Sequence, residues 1–247
     1  MSDSNQLESH SGQTASALPS WFLVAGSAAA FAGSICSEMV TNANKERFFT
    51  PTGLPPFPPE LLRKVLWNNI YNHSICFGFL GSALCGVLIL VAVGSKNPAK
   101  GIGGLLLGGV AGLILGAAVG VLGYFITETV QQMNIDNILK AIVIYLPVWL
   151  VLSLVTTGIS ASLVKLPNGF RRAFQASLIT TLCTVVIYPL FVTAIFPSDW
   201  PGRIIPEFAR TRLTSYIVGS LGIVVALWFT FKPSKKQNSE AHTSSGT

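Results

Sequence analysis

The sequence predicts an all-α protein, a polytopic bundle of five or six transmembrane helices, and three observations carry that expectation. Half of the 247 residues are apolar and only 11% are charged, with a mean hydropathy of +0.57; a soluble domain carries roughly 25% charge. Residues 65–95, 101–127, 141–164, 173–198 and 213–231 contain no Lys, Arg, Asp or Glu. Each interval holds an apolar run of the roughly 17–25 residues that cross a bilayer. Within the second, GIGGLLLGGVAGLILGAAVGVLG repeats glycine every four residues. In water each such glycine would weaken a helix by roughly 1 kcal/mol, whereas in lipid it permits close helix contact.

A sixth segment, residues 21–36, is short, alanine-rich and mildly hydrophobic, with Glu38 soon after it. A cleaved signal peptide opens with positive charge, but Asp3 and Glu8 precede this segment and the first basic residue is Lys45. It reads as a span, with a signal-like or interfacial segment as the alternative. Gly33 stands where a lipoprotein signal would place leucine before Cys36. The expected spans are therefore about 21–37, 75–94, 103–127, 141–163, 173–196 and 214–231, in one bundle over 20–231. Residues 1–19 and 232–247, rich in Ser, Gln and Asn, are expected to be disordered.

The connector PTGLPPFPPE should be a stiff polyproline-like strut, or a ligand for a proline-reading domain. Pro59 and Glu60 suit the first turn of a helix in which Leu61, Leu62, Val65 and Leu66 recur at helical spacing, with Trp67 and Tyr71 at headgroup depth. The loop over 196–213, with Trp200, Phe208 and the turn pair Pro201 and Gly202, should lie along the membrane surface. Glu128 and Asp136 read as a solvated loop. Residues 75–127 also overlay on 141–196 at an offset of 68, which sets Gly108, Gly112 and Gly116 on Ala176, Thr180 and Thr184. Such a repeat of two helices would be parallel, with its axis along the membrane normal.

Positions four apart share a helix face, so Gly104, Gly108, Gly112, Gly116 and Gly120 form a groove ending at Tyr124. Similar small faces occur at Gly78, Ser82 and Gly86, and at Gly26, Ala30 and Ser34. The five-glycine pattern resembles the glycine-zipper motif of membrane proteins, some of which form pores or oligomers; it covers one helix and identifies no family. It implies packing within the chain, a homo-oligomer interface or a pore lining.

A second pattern is polar. Ser153, Thr156, Thr157 and Ser160 share one helix face, Thr180, Thr181 and Thr184 are grouped on the next span, and Pro147 and Pro189 interrupt these helices. The hydroxyls either line a transport path between the two helices or bond across the pair and back to carbonyls. Coupled transporters carry a buried Asp, Glu, His or Lys, and the five charge-free spans have none at mid-span. The expected role is a structural or interaction subunit of a membrane assembly. The alternative is a small permease or channel using this seam.

No catalytic residue, cofactor site or metal site is expected. The cysteines Cys36, Cys76, Cys85 and Cys183 form no C-x-x-C pair. His73 stands with Asn68, Asn69 and Asn72 at a membrane boundary, where all should be solvated, and His10 and His242 supply no second ligand. Ser162 and Lys165 fit S-x-x-K without its companion motifs. The net charge of +6 comes from basic residues scattered in loops and tail. That excludes a nucleic-acid surface and favours the anionic headgroups of a lipid bilayer, besides a homo-oligomer or membrane-protein partner. Basic residues are equal in number on the two sides, but Lys96, Lys100, Lys165, Arg171 and Arg172 occupy tight turns between spans, where the positive-inside rule has most force, so both termini are expected in the cytoplasm. Low acidity and compact loops suit a cell membrane of bacterial inner-membrane type.

Overall fold

The computed structural model describes residues 18–43, 58–199, 201, 203–206 and 208–232. The polyproline connector up to residue 57, Trp200, Gly202, and most of the two ends expected to be disordered lie outside the described residues. One part of that expectation is corrected, because Leu18 is only 3% exposed and belongs to the core.

Six helices make up the described chain: α1 (Trp21–Ala43), α2 (Pro59–Gly94), α3 (Pro98–Gln131), α4 (Asn137–Leu163), α5 (Gly169–Ile195) and α6 (Ala209–Phe231). All six are long and apolar enough to cross a membrane. They overrun the expected spans because a helix continues past the hydrocarbon layer into water, where charges no longer mark its end. At 36 residues α2 is about 54 Å long, well beyond a hydrocarbon core of roughly 30 Å. Its start follows the sequence rule, with Pro59 in the first turn beside Glu60. Asn97 caps α3 by accepting from Lys100 N (3.0 Å), and Asp136 caps α4 by accepting from Ile138 N (2.7 Å). Glu128 is an exposed residue of α3 instead of a loop residue, and α4 and α5 run unbroken through Pro147 and Pro189.

The helices alternate between two rings. The even-numbered helices α2, α4 and α6 touch one another in the middle, and each odd-numbered helix fills a notch outside: α1 between α2 and α6, α3 between α2 and α4, α5 between α4 and α6. Because direction alternates along the chain, the three inner helices are parallel and the outer three antiparallel to them. At one end, hereafter the hairpin end, lie the short turns α2–α3 and α4–α5; Lys96 Nζ stands 4.6 Å from the Phe231 ring centroid there, and Lys100 Nζ donates to Leu163 O. The pairs α2–α3 and α4–α5 each join an inner to an outer helix, but the residues aligned by the offset of 68 do not make equivalent contacts, since Gly116 meets Phe77 of α2 whereas Thr184 meets Gly222 of α6. Their turns differ, since Asn97 caps with its side chain while Lys165 and Asn168 take left-handed backbone (φ 55° and 53°).

The exterior is apolar, with Leu106, Ile114 and Ile179 at 66%, 62% and 61% exposure, as expected of faces that meet lipid. Of the glycines of α3, the five spaced four apart, Gly104, Gly108, Gly112, Gly116 and Gly120, all turn inward. A Cβ on Gly108, Gly116 or Gly120 would run into the carbonyls of Cys85, Phe77 or His73 on α2, and one on Gly104 would lie 2.6 Å from Ile89 Cγ2. Gly112 and Gly81 are reciprocal, each occupying the space that a Cβ on the other would need. The groove is thus filled by α2 of the same chain. The α2 face of Gly78 and Gly86 packs back on the Leu113 and Leu105 carbonyls, while Gly26 meets Val224 and Ser34 meets Ser220 across α1 and α6.

Substituting Gly112→Ala should therefore destabilise the protein by about 1–3 kcal/mol, because the methyl must force two backbones apart. Gly103→Ala, on the open face of the same helix with nothing within 4 Å, should stay within about 0.5 kcal/mol of the parent. Thermal unfolding in one detergent reads both.

Candidate functional site at the loop end of the bundle

The seam over α4 is buried. Ser153, Thr156, Thr157 and Ser160 are each exposed by 1% or less. Thr156 donates to Leu152 O (2.7 Å), Thr157 to Ser153 O (2.8 Å) and Ser160 to Thr156 O (2.8 Å). A hydroxyl that returns to the carbonyl four residues back is satisfied within its own helix. Two bonds from these hydroxyls leave α4, from Thr156 to Cys85 Sγ at 3.1 Å and between Thr157 and Ser177 Oγ at 3.0 Å. Ser177, not the threonine group, is thus the α5 member of this contact. Thr180 donates to Ala176 O (2.8 Å) and Thr184 faces Gly222 of α6. The expected single seam between α4 and α5 is therefore split, because the rotation of α5 sets Thr180 and Thr184 on its α6 side. Ser153 Oγ is buried without a hydrogen-bond partner.

The buried charge lies at the other end of the inner helices, where α6 begins. Arg212 is 3% exposed and donates from Nε and Nη2 to Glu38 Oε2 and Oε1 at 3.1 and 2.8 Å. The same guanidinium reaches Asn42 Oδ1 (3.2 Å) and the Pro206 carbonyl (2.9 Å). This forked geometry is what makes arginine suited to a buried carboxylate. The pair ties α1 to α6 and clamps the long connection before α6 from inside.

A second pair stands beside it. Arg210 Nε and Nη2 donate to Asp199 at 2.8 and 2.6 Å, and Thr211 Oγ1 donates to the same carboxylate at 2.5 Å. The Arg210 guanidinium lies 5.0 and 5.5 Å from the ring centroids of Phe196 and Phe208. Its hydrogen bonds to Asp199 lower that carboxyl from 3.8 to about 2, opposed by burial and helped by the Thr211 hydroxyl.

The connection does more than lie on a membrane surface. Ile204 is 1% exposed and its side chain presses against Gly123 of α3. Tyr145 of α4 donates to the Arg203 carbonyl (2.8 Å), and its ring meets Tyr188 edge-on at 4.8 Å. The loop thus inserts a wedge into the bundle.

Asn72 and His73 are also buried, at 1% and 8% exposure, contrary to the solvated boundary expected of them. The overlong α2 carries them below its protruding first turns. His73 Nδ1 lies 2.7 Å from Asn69 O and its ring 5.1 Å from that of Tyr124, while the Asn72 amide has no hydrogen-bond partner. Among the described residues, no group of three His, Cys, Asp or Glu side chains is placed to hold a metal ion. Ser162 and Lys165 are both exposed at the hairpin end. The buried charges are locked to each other, so the arrangement fastens helix ends.

Fold and site together define a multi-pass helical membrane protein. Compared with known protein families, curated proteins and solved structures, the chain matches none of them.

Breaking the buried pair by Arg212→Met should cost about 3–5 kcal/mol, because Glu38 is left buried and alone. Adding Glu38→Leu to that variant should recover part of the loss in denaturant unfolding. The Asp199 pair has a pH signature. Its folded pKa is depressed, so its contribution is present above pH 3.8 and is lost as pH falls through about 2. The melting-temperature difference between the parent and Asp199→Asn should hold at neutral pH and vanish at the acid end of that window.

Proposed function

We propose that the chain is a structural or interaction subunit of a membrane assembly, without enzymatic activity of its own. The observation that carries this reading is the closed interior. The hydroxyls of the α4 seam are buried, and those of Thr156, Thr157 and Ser160 are bonded within the helix, two of them also to a neighbouring helix. The inner helices meet through apolar side chains such as Leu80, Leu84, Leu152 and Val224. Such an interior supports a rigid body that offers its outside to partners. Lys96, Lys100, Lys165 and Arg172 stand at the hairpin end, and by the positive-inside rule that end and both termini are cytoplasmic. The low acidity and compact loops of the chain suit a bacterial inner membrane.

The permease reading draws on one observation, the unpartnered buried Ser153 Oγ, which would suit a site opening in a second conformation. Cysteine labelling separates the two. In nanodiscs, with the four native cysteines replaced by alanine, Ser153→Cys and Thr157→Cys should remain unlabelled by a membrane-impermeant maleimide, while exposed Asn134→Cys labels fully. Labelling within the seam would make the protein a conduit. Native mass spectrometry of the same nanodiscs should find a second protein, or a second copy, at fixed stoichiometry.

A further inference from the structure

Between α5 and α6 the outer surface opens into a groove of about 410 Å³, walled by Ile179, Cys183, Ile187, Val218, Val225 and Phe229. Its floor is made by Thr180, Thr184 and Gly222. Gly222 is what keeps the groove deep, since a Cβ there would collide with the Thr184 hydroxyl. Thr180 spends its hydrogen bond on its own helix, so the floor asks little of an occupant except apolar contact.

The groove follows the helix axes. On α6 it runs from Val218 to Phe229, eleven residues or about 16 Å, and on α5 from Ile179 to Ile187, eight residues or about 12 Å. One leaflet of a bilayer has a hydrocarbon depth of roughly 15 Å, half of the whole core. The length therefore matches one acyl chain lying along the bundle.

The hairpin end of the groove is cationic. Lys232 caps α6 and its Nζ stands 5.9 Å from the ring centroid of Phe229, the last groove residue on that helix. On α5 the groove stripe of Ile187, Cys183 and Thr180 continues at helical spacing through Ala176 to Arg172. Thr184 faces Gly222, and the two helices are antiparallel. Lys232, ten residues after Gly222, is therefore level with Phe174, ten residues before Thr184, and two residues (about 3 Å along the axis) from the level of Arg172. Arg172 is half-buried and Lys232 exposed.

We propose that this groove is a lipid site, holding one acyl chain of an anionic phospholipid whose phosphate is bound by Arg172 and Lys232. A partner helix would fill an apolar groove too, but it would use the two cations only if its C-terminus or an acidic side chain stood at their level. An anionic headgroup above a single chain uses both features. Clustered basic residues beside membrane-crossing helices are suited to such headgroups.

The test uses the full chain, purified and exchanged into equimolar phosphatidylglycerol and phosphatidylcholine, with retained lipid read by native mass spectrometry. One phosphatidylglycerol per chain should be kept in preference to phosphatidylcholine. The double substitution Arg172→Gln and Lys232→Gln should cut that preference by about tenfold. Val225→Trp, which fills the groove from its exposed rim, should abolish retention of either lipid. Val225 and Lys232 are exposed and Arg172 is half-buried, so neither variant replaces a core side chain, and unchanged thermal unfolding in detergent checks this. Equal retention of the two lipids, or retention that survives Val225→Trp, would overturn the proposal. So would a dimer that Val225→Trp disrupts, because the occupant would then be a second copy of the chain.

Discussion

The contact between α2 and α3 decides how the rest of this protein can pack. Lipid chains are as apolar as leucine, so little hydrophobic force draws two helices together in a bilayer, and van der Waals contact must do the work. That attraction falls away within an ångström of optimal separation. Glycine lets backbone meet backbone, and at Gly81 and Gly112 neither helix leaves room for a side chain on the other. Once α2 is held this way along α3, its remaining faces are turned toward α1 and α4. The inner position of α2, and with it the alternation of rings, follows.

A second constraint acts where the chain leaves its longest connection. Backbone that enters a bundle must have its polar groups satisfied by protein. The wedge around Ile204 meets this through the Tyr145 hydroxyl and the Arg212 guanidinium, which take up the Arg203 and Pro206 carbonyls. Arg212 could not perform that service alone, because an unpaired buried cation is too costly; Glu38 makes it tolerable. The ion pair is thus better understood as the support of an inserted loop than as a source of net stability.

What could be read from the sequence depended on whether the signal was local. The four-residue recurrence of glycine lies within one helix and needs no partner to be recognised, and the charge-free intervals marked five spans by the same kind of local test. Glu38 and Arg212 are 174 positions apart, and each sits at the border of an apolar run, where a charge ordinarily meets water. Treating charges as borders hid the pair that crosses the bundle. Asn72 and His73 were misplaced for a related reason, since only the full length of α2 shows that they lie inside. The threonines of α5 share a face as their spacing says, but whether that face meets α4 or α6 depends on the rotation of the helix, which spacing does not encode.

The parallel run of the three inner helices has an electrical consequence. Each helix carries roughly half a positive charge at its N-terminus and half a negative charge at its C-terminus, and here three such dipoles are bundled side by side while the opposing outer helices lie farther from the axis. The chain answers them in kind. Glu60 lies in the first turn of α2 and Asp136 caps α4, while Asp199 and Glu38 bind side chains from the first turn of α6. At the opposite end Lys96, Lys165 and Lys232 follow the last turns of the same three helices. The middle of the molecule is thus a polarised column in which a lysine follows each inner helix at one pole, while at the other the Asp199 and Glu38 carboxylates offset the two arginines that open α6.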